Sequence, residues 1–138
     1  MARDIIVGCD GSDCSHAALD VAIQTALELG DRLVLVFAYE PPGRLGDEFD
    51  AYQKALKVRG QKFVTEAEAK AAEANVESVG KLVGQRPPEA LSGAGKEHSA
   101  RMIVVGSYGE GPLTSAILGS VPHKLLQISD IPVLCVRA

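Results

Sequence analysis

The chain has 138 residues, a formal net charge of −4 at neutral pH and an isoelectric point of about 5.3. This length suits one domain of ordinary size, and we expect residues 1–138 to form it. Because lysines and arginines are scattered among acids and form no basic stripe, we expect no nucleic-acid partner. The apolar runs are far shorter than the ~20 residues of a membrane-spanning helix, so we expect no membrane partner.

Cysteine usage points to a reducing compartment. Cys9, Cys14 and Cys135 are an odd, sparse set that does not suit a disulfide framework. The N-terminal residues enter an apolar, strand-like run at once and show no secretory pattern. We therefore expect the protein to be cytoplasmic.

Short apolar runs alternate with stretches of helical periodicity along the chain. The runs are continuous in apolar residues, which is typical of strands buried on both faces. The stripe of the long helix includes Gly60, which predicts close packing there, and Gly30 is a helix-ending signal. In chain order, the predicted elements are a strand at 5–9, a helix at 19–27, a strand at 33–38, a helix at 49–74, a strand at 76–83, a helix at 89–99, a strand at 102–105, short and longer helices at 113–118 and 121–128, and a strand at 132–136.

This alternation predicts an α/β fold in which helices cover both faces of a five-stranded parallel sheet. Ligands of such proteins bind at the carboxyl ends of the strands, where the strand order reverses. Turn-rich segments follow the first and fourth predicted strands, at residues 10–12 and 106–112. If these two strands are neighbours, both segments face one crevice.

The spacing Gly106-x2-Gly109-x9-Gly119-Ser120 carries most of the functional information. Glycines let backbone amides approach a ligand closely, and a helix that begins here adds free amides and the positive end of its dipole. Ser120 suits the N-cap of that helix, and Pro122 suits its first turn. The pattern indicates a phosphate cradle; the alternative is that these glycines only form tight turns.

Other nucleotide motifs do not fit. Residues 106–111 start like a P-loop, but Pro112 and Leu113 stand where its lysine and hydroxyl residue are required. The turn at residues 8–11 lacks the G-x-G-x-x-G spacing of a dinucleotide-binding loop. The sequence predicts no catalytic residues and no protein metal ligands, because it has neither a nucleophile motif nor cysteine and histidine pairs at metal-ligand spacing.

Taken together, these features resemble the universal stress proteins over the whole chain. The similar segments are residues 7–12, 33–42 and 84–91, and the glycine spacing is the signature of the family's ATP-binding branch. The resemblance implies a single-domain, three-layer, Rossmann-like sandwich with strand order 3-2-1-4-5. It also implies a stress-response module that binds ATP or a related adenine nucleotide, and a homodimer formed through the last strand, Pro132 to Val136.

The resemblance also implies the roles of individual residues. The adenine of ATP, AMP or ADP would lie near Asp10 and Ala38, the ribose beside the end of the fourth strand, and the phosphates at Gly109 and the start of the last helix. Mg or Mn would bridge phosphate oxygens, which supply most of the metal's ligands. The nucleotide-binding residues implied in this way are Gly8, Cys9, Asp10, Ala38, Val105, Gly106, Gly109, Gly119, Ser120, Val121 and Pro122.

Two residues depart from the family pattern. Pro122 stands where Ser or Thr is frequent, and Glu110 where Arg or Lys is common. Either change weakens the binding of a triphosphate, by about 1–2 kcal/mol where a hydrogen bond to a charged group is lost, and we expect AMP or ADP to be less penalised than ATP. Two alternatives remain: a slow ATPase or nucleotidyl-transfer enzyme, with at most weak ATP hydrolysis, and a dimeric interaction domain that binds no nucleotide.

Overall fold

The structure is a computed structural model that describes residues 1–41, 43, 46–108 and 118–138. Strands and helices alternate along these residues. They are β1 (Asp4–Gly8), α1 (Asp13–Leu29), β2 (Arg32–Ala38), α2 (Asp47–Glu73), β3 (Ser78–Val83), α3 (Pro87–Glu97), β4 (Met102–Gly106), α4 (Ser120–Ile128) and β5 (Val133–Val136). Within the described ranges, no helix combines the length and the apolar character needed to cross a membrane.

The five strands form one parallel sheet in the order β3-β2-β1-β4-β5, which confirms the predicted topology. Val7 of β1 is in register with Leu35 of β2 on one side and with Val104 of β4 on the other. The strand order therefore reverses between β1 and β4. As a result, the carboxyl ends of these two strands lie side by side, where α/β proteins bind their ligands.

The core has two halves because alternate strand residues point to opposite faces of the sheet. Ile5 and Val7 pack with apolar side chains of α1 and α2, among them Leu19. Ile6 packs on the other face against α3 and α4, including Leu125. Ile5, Val7, Ile6 and Leu125 are all fully buried. Covering both faces in this way requires the continuous aliphatic runs that the sequence shows.

Two glycines have the structural roles that the sequence predicts for them. Gly30 adopts a left-handed conformation, with φ of 71°, and ends α1 by donating its N–H to the carbonyl of Ala26. Gly60 lies inside α2, where a Cβ would fall 2.2 Å from the Phe37 ring of β2. The absence of a side chain there lets α2 continue without a break and pack closely on the sheet.

Some predicted boundaries are wrong by a few residues. α3 begins at Pro87 rather than at residue 89, since proline suits the first helical position, where no backbone donor is needed. β3 begins at Ser78 rather than Val76, because the Val76 N–H donates to the Ala71 carbonyl at the end of α2. Of the predicted short helix, Leu118 is not helical, and residues 113–117 lie outside the described residues.

Candidate functional site

A cavity opens at the carboxyl ends of β1, β2 and β4, at the point where the strand order reverses. It holds about 520 Å³ of empty space, counting the part open to solvent. The residues lining it are Gly8, Cys9, Asp10, Ser12, Ser15, Val36, Ala38, Pro87, Leu91, Val105, Gly106, Tyr108, Val121 and Pro122.

The turn after β1 holds Asp10 in place. Ser12 donates two hydrogen bonds to Asp10 Oδ1, from its N–H at 2.9 Å and from its hydroxyl at 2.5 Å. The same hydroxyl accepts the N–H of Ser15 at 3.1 Å, so Ser12 is the N-cap of α1. Asp10 Oδ2 accepts no hydrogen bond from the described residues, and the Asp10 side chain is exposed at the cavity.

Ser15 connects the end of β1 to the start of α1. Its hydroxyl donates to the carbonyl of Gly8 and accepts the N–H of Asp10, both at 3.1 Å. These two bonds satisfy backbone groups that the sheet leaves unpaired at the end of a strand. The wall of the cavity that carries Asp10 is therefore fixed from two sides, by Ser12 and by Ser15.

The glycines at the two ends of segment 106–119 lie at close contacts. A Cβ on Gly106 would fall 2.5 Å from the Cβ of Cys14, and one on Gly119 would fall 2.8 Å from the Cα of Tyr108. The Gly119 N–H also donates to the carbonyl of Ser107, at 2.6 Å. Neighbouring backbone leaves no room for a side chain at either position, and this accounts for both glycines. A left-handed backbone conformation does not account for them, because φ is not positive at either position.

The first turn of α4 faces the cavity. The N-cap is Gly119, so the prediction of Ser120 as N-cap is wrong by one residue: Ser120 is the first residue of the helix, and no side chain caps its amides. Val121 and Pro122 line the cavity, and Pro122 is fully buried. The N–H groups of Ser120 and Val121 donate to no described backbone oxygen, which leaves them available to an acceptor in the cavity.

The described walls of the cavity carry little charge. None of the described lining residues is a lysine, arginine or histidine, and Asp10 carries the one carboxylate among them. Burial, assisted by the neighbouring Asp10 carboxylate, raises the pKa of the Cys9 thiol to about 12. Cys9 is therefore a neutral wall residue at physiological pH.

The structure brings most of the implied nucleotide-binding residues together. Gly119 and Ser120 adjoin the cavity at the start of α4 without lining it, and Gly109 lies outside the described residues, as does Glu110. The implied residues that line the cavity are Gly8, Cys9, Asp10, Ala38, Val105, Gly106, Val121 and Pro122.

Six lining residues were not among the implied nucleotide-binding residues, and for five of them a signal was present. Val36 precedes Ala38 by two positions and shares its face of β2. Pro87 and Leu91 are four residues apart, so they share one face of α3 at its first turns. Ser12 and Tyr108 belong to segments 10–12 and 106–112, which follow the first and fourth predicted strands, whereas we find no signal for Ser15.

Comparison with known proteins identifies the family. The model of the universal stress protein family matches residues 1–137. The universal stress protein in the QAH/OAS sulfhydrylase 3′ region of Thermus aquaticus is 37% identical, with 99% of this chain and 100% of that protein aligned. Universal stress protein YxiE of Bacillus subtilis is 33% identical, with the same coverage.

A crystal structure of a universal stress protein in complex with cAMP is 30% identical in sequence to this chain. The two superpose with a TM-score of 0.72, covering 99% of this chain and 97% of that one. The similarity therefore extends over the sheet, the helices and the carboxyl edge that carries the cavity. On the strength of the family match and of these relatives, the chain belongs to the universal stress protein family.

Proposed function

We propose that the protein binds an adenine nucleotide, ATP or its relatives ADP and AMP, in the cavity between β1 and β4, and that nucleotide occupancy regulates a stress response. The observation that carries this proposal is the meeting of two features at one edge of the sheet. One is the apolar part of the cavity, which lies beside the fixed Asp10 carboxylate, and the other is the N-terminus of α4, which no side chain caps.

The apolar part of the cavity suits the adenine ring. Val36, Ala38, Leu91 and Val105 present small and medium aliphatic side chains from β2, α3 and β4, with no charge among them. Asp10 Oδ2, which accepts no described hydrogen bond, is the acceptor that an exocyclic amino group needs. An aliphatic slot with one directed polar group is the usual composition of a small-molecule site.

The other end of the cavity suits phosphate. The free N–H groups of Ser120 and Val121 point from the first turn of α4, where the helix dipole favours an anion. Among the described residues, no group of three histidine, cysteine or acidic side chains is placed to hold a metal ion. Mg or Mn would therefore take its ligands from the phosphate oxygens and water. The relative solved in complex with cAMP supports an adenine nucleotide in this fold.

We also propose that residues 1–138 are a single nucleotide-binding domain that forms a homodimer through the β5 edge. In the described chain β5 pairs only with β4, and Leu134 of β5 and Leu126 of α4 are 39% and 58% exposed. An unpaired edge strand with exposed leucines favours a partner. The free, buried thiols of Cys9 and Cys14 suit a reducing compartment, and we place the protein in the cytoplasm.

The test is nucleotide-dependent thermal stabilisation, with Asp10→Asn as the diagnostic variant. Asparagine keeps an oxygen for the two Ser12 hydrogen bonds and replaces the free carboxylate oxygen with a donor. A nucleotide at 100 times its Kd stabilises the native protein by about 2.7 kcal/mol, and we expect Asp10→Asn to lose most of this shift.

Asp13→Asn is the matched control, because Asp13 is exposed in the first turn of α1 and does not line the cavity. We expect it to keep the full nucleotide-induced shift. If no adenine nucleotide stabilises the wild-type protein, the proposed function is wrong.

A further inference from the structure

We propose that Lys81 is an acyl-acceptor site, at which a small acyl phosphate acylates the side-chain amine while His98 accepts its proton. The site lies apart from the cavity between β1 and β4, and it does not depend on nucleotide binding. It is formed by Lys81 of β3, His98 at the end of α3 and Asp4 at the start of β1. Hydrogen bonds join these three side chains into one continuous line.

The pleat of the sheet directs Lys81 toward α3. A Cβ on the preceding residue, Gly80, would meet the side chain of Val64 in α2, on the opposite face of the sheet. Because successive strand residues point to opposite faces, Lys81 lies on the face that α3 covers. β3 is an edge strand, and the Lys81 side chain is 31% exposed. A small acyl donor can therefore reach the Lys81 amine from solvent.

The hydrogen bonds of His98 define its protonation state. His98 Nδ1 lies 3.0 Å from Asp4 Oδ2, and a carboxylate can only accept a hydrogen bond, so Nδ1 carries a proton. His98 Nε2 lies 2.7 Å from Lys81 Nζ, and an ammonium group can only donate. A doubly protonated ring is incompatible with this contact, because two donors would then face each other. Neutral His98 therefore directs the lone pair of Nε2 at the Lys81 amine.

Asp4 is the positioning residue of this site. Arg32 Nε donates to Asp4 Oδ1 at 3.1 Å, so that Oδ2 remains for His98. Asp4 thus fixes the orientation of the imidazole ring and stabilises the positive charge that the ring acquires with a second proton. A carboxylate, an imidazole and a nucleophile in this order are the arrangement by which many acyl-transfer sites activate the nucleophile.

The acylation step needs only this site, the acyl phosphate and water. Lys81 Nζ, after releasing one proton to solvent, attacks the carbonyl carbon of the acyl phosphate, and a nitrogen–carbon bond forms. The surplus proton on Nζ passes to His98 Nε2. The bond between the carbonyl carbon and the phosphate oxygen breaks, and inorganic phosphate leaves with the electron pair. His98 then returns its proton to water, and the product is an uncharged amide on Lys81.

Lys70 provides a comparison within the same molecule. Its amine donates to the Asp20 carboxylate at 2.8 Å, and its side chain is 48% exposed, more than that of Lys81. If exposure alone set the rate of acylation, Lys70 would react faster than Lys81. A neighbouring base reverses this order, because it removes the proton as the new bond forms.

The experiment is incubation of the wild-type protein with acetyl phosphate, in which mass spectrometry of peptides measures the acetylation rate at Lys81 and Lys70. We expect Lys81 to react at least threefold faster than Lys70. In His98→Gln, the amide oxygen can accept a hydrogen bond from Lys81 but takes up no proton, so the ratio of the two rates should fall at least threefold. His123→Gln is the matched control, because His123 is exposed on α4 with its ring 3.5 Å from the Gln127 amide, and it should leave the ratio unchanged.

Glu97→Gln tests the same site in the opposite direction. The Glu97 carboxylate lies 3.7 Å from Lys81 Nζ, where it stabilises the ammonium form that cannot attack. Glu97 is exposed, so its substitution leaves the core intact, and we expect the ratio of the Lys81 rate to the Lys70 rate to rise at least twofold.

Four results would overturn the proposal. They are a wild-type Lys81 rate no higher than that of Lys70, an unchanged ratio in His98→Gln, an equal fall in His123→Gln, and a ratio that does not rise in Glu97→Gln. The last measurement decides the question even if His98→Gln does not fold. None of these results bears on nucleotide binding, which the thermal shift of the wild-type protein tests separately.

Discussion

Cys14 in α1 packs directly against Gly106 at the end of β4, so closely that a Cβ on Gly106 would lie 2.5 Å from the Cβ of Cys14 and 2.7 Å from its carbonyl carbon. Two of the elements that build the cavity therefore meet at this contact. Gly106 itself lines the cavity, whereas Cys14 lies behind it and is almost completely buried. The distance between α1 and the end of β4 depends on this close approach.

We expect Gly106→Ala to destabilise the protein and weaken adenine nucleotide binding. The new methyl group collides with backbone as well as side chain, so α1 and β4 must move apart; overpacking of this kind costs about 1–3 kcal/mol. Urea denaturation measures the loss of unfolding free energy, and calorimetry measures the loss of affinity.

Gly93→Ala is the matched control for that substitution. Gly93 is exposed within α3, and nothing lies within 4 Å of a Cβ placed there. Alanine is the better helix former, so we expect this variant to be more stable by about 0.5–1 kcal/mol and to bind nucleotide normally. If Gly106→Ala is as stable as the wild type, the close contact with Cys14 does not prevent a side chain at residue 106.

The acid sensitivity of the fold should depend on Asp31, which lies at the opposite edge of the sheet from the cavity. Its side chain is completely buried, and it accepts hydrogen bonds from the Arg101 guanidinium and, at 2.9 Å, from the Arg3 N–H. The hydrogen bond from Arg101 is the main cause that lowers the pKa of the Asp31 carboxyl. A carboxyl with a lowered pKa stabilises the native state above its unfolded pKa of about 4, and this stabilisation disappears as the pH falls through the folded pKa.

We therefore expect Asp31→Asn to be less stable than the wild type at pH 7, by about 1.5–3 kcal/mol, the value of a hydrogen bond to a charged group. The difference should shrink as the pH falls below about 4, because the carboxyl then takes up a proton in the unfolded chain, whereas the folded protein takes it up only at lower pH. The difference in unfolding free energy is measured by urea denaturation at about pH 7, 5, 4 and 3, a range that brackets the unfolded carboxyl pKa. Asp20→Asn is the control: its ion pair with Lys70 is exposed, and we expect a difference of only about 0–1 kcal/mol at pH 7.

If the homodimer forms through β5, a charged substitution on that edge strand should disrupt the dimer, and one on the other edge strand, β3, should not. Leu134 on β5 and Val79 on β3 are exposed to similar degrees, 39% and 48%. Leu134→Asp places a charge on the proposed interface, and we expect it to be monomeric by sedimentation velocity under conditions where the wild type is dimeric. Val79→Asp, on the edge strand at the other side of the sheet, should remain dimeric. Dissociation by Val79→Asp alone would place the interface at β3.

Short-range patterns were sufficient to predict the order of the elements and the class of fold. Helical and strand periodicity are properties of a few consecutive residues, so the run at β1 and the stripe of α2 are visible without any partner. The alternation of the two then restricts the topology to a parallel sheet with covering helices. The order 3-2-1-4-5 came from family resemblance, and the structure confirms it.

The strand-end rule predicted part of the candidate site, and the family resemblance implied Val121 and Pro122 at the start of α4. Asp10 and Gly106 come directly from the rule that parallel strands present ligand sites at their carboxyl ends. The N-cap of α4 was wrong by one residue because Gly119 already hydrogen bonds to Ser107 across twelve positions, and this bond sets where the helix begins. No local pattern contains that bond.

The sequence by itself determined that this protein is a small acidic α/β domain with an aliphatic core and a glycine-rich segment after its fourth strand. Only the tertiary structure decided which residues distant in the sequence come into contact. Cys14 beneath Gly106 and Asp31 beside Arg101 are pairs separated by ninety-two and seventy positions. Such contacts depend on how the helices pack across the sheet, and hydrophobic patterning specifies the buried face of an element without specifying the atoms that it meets.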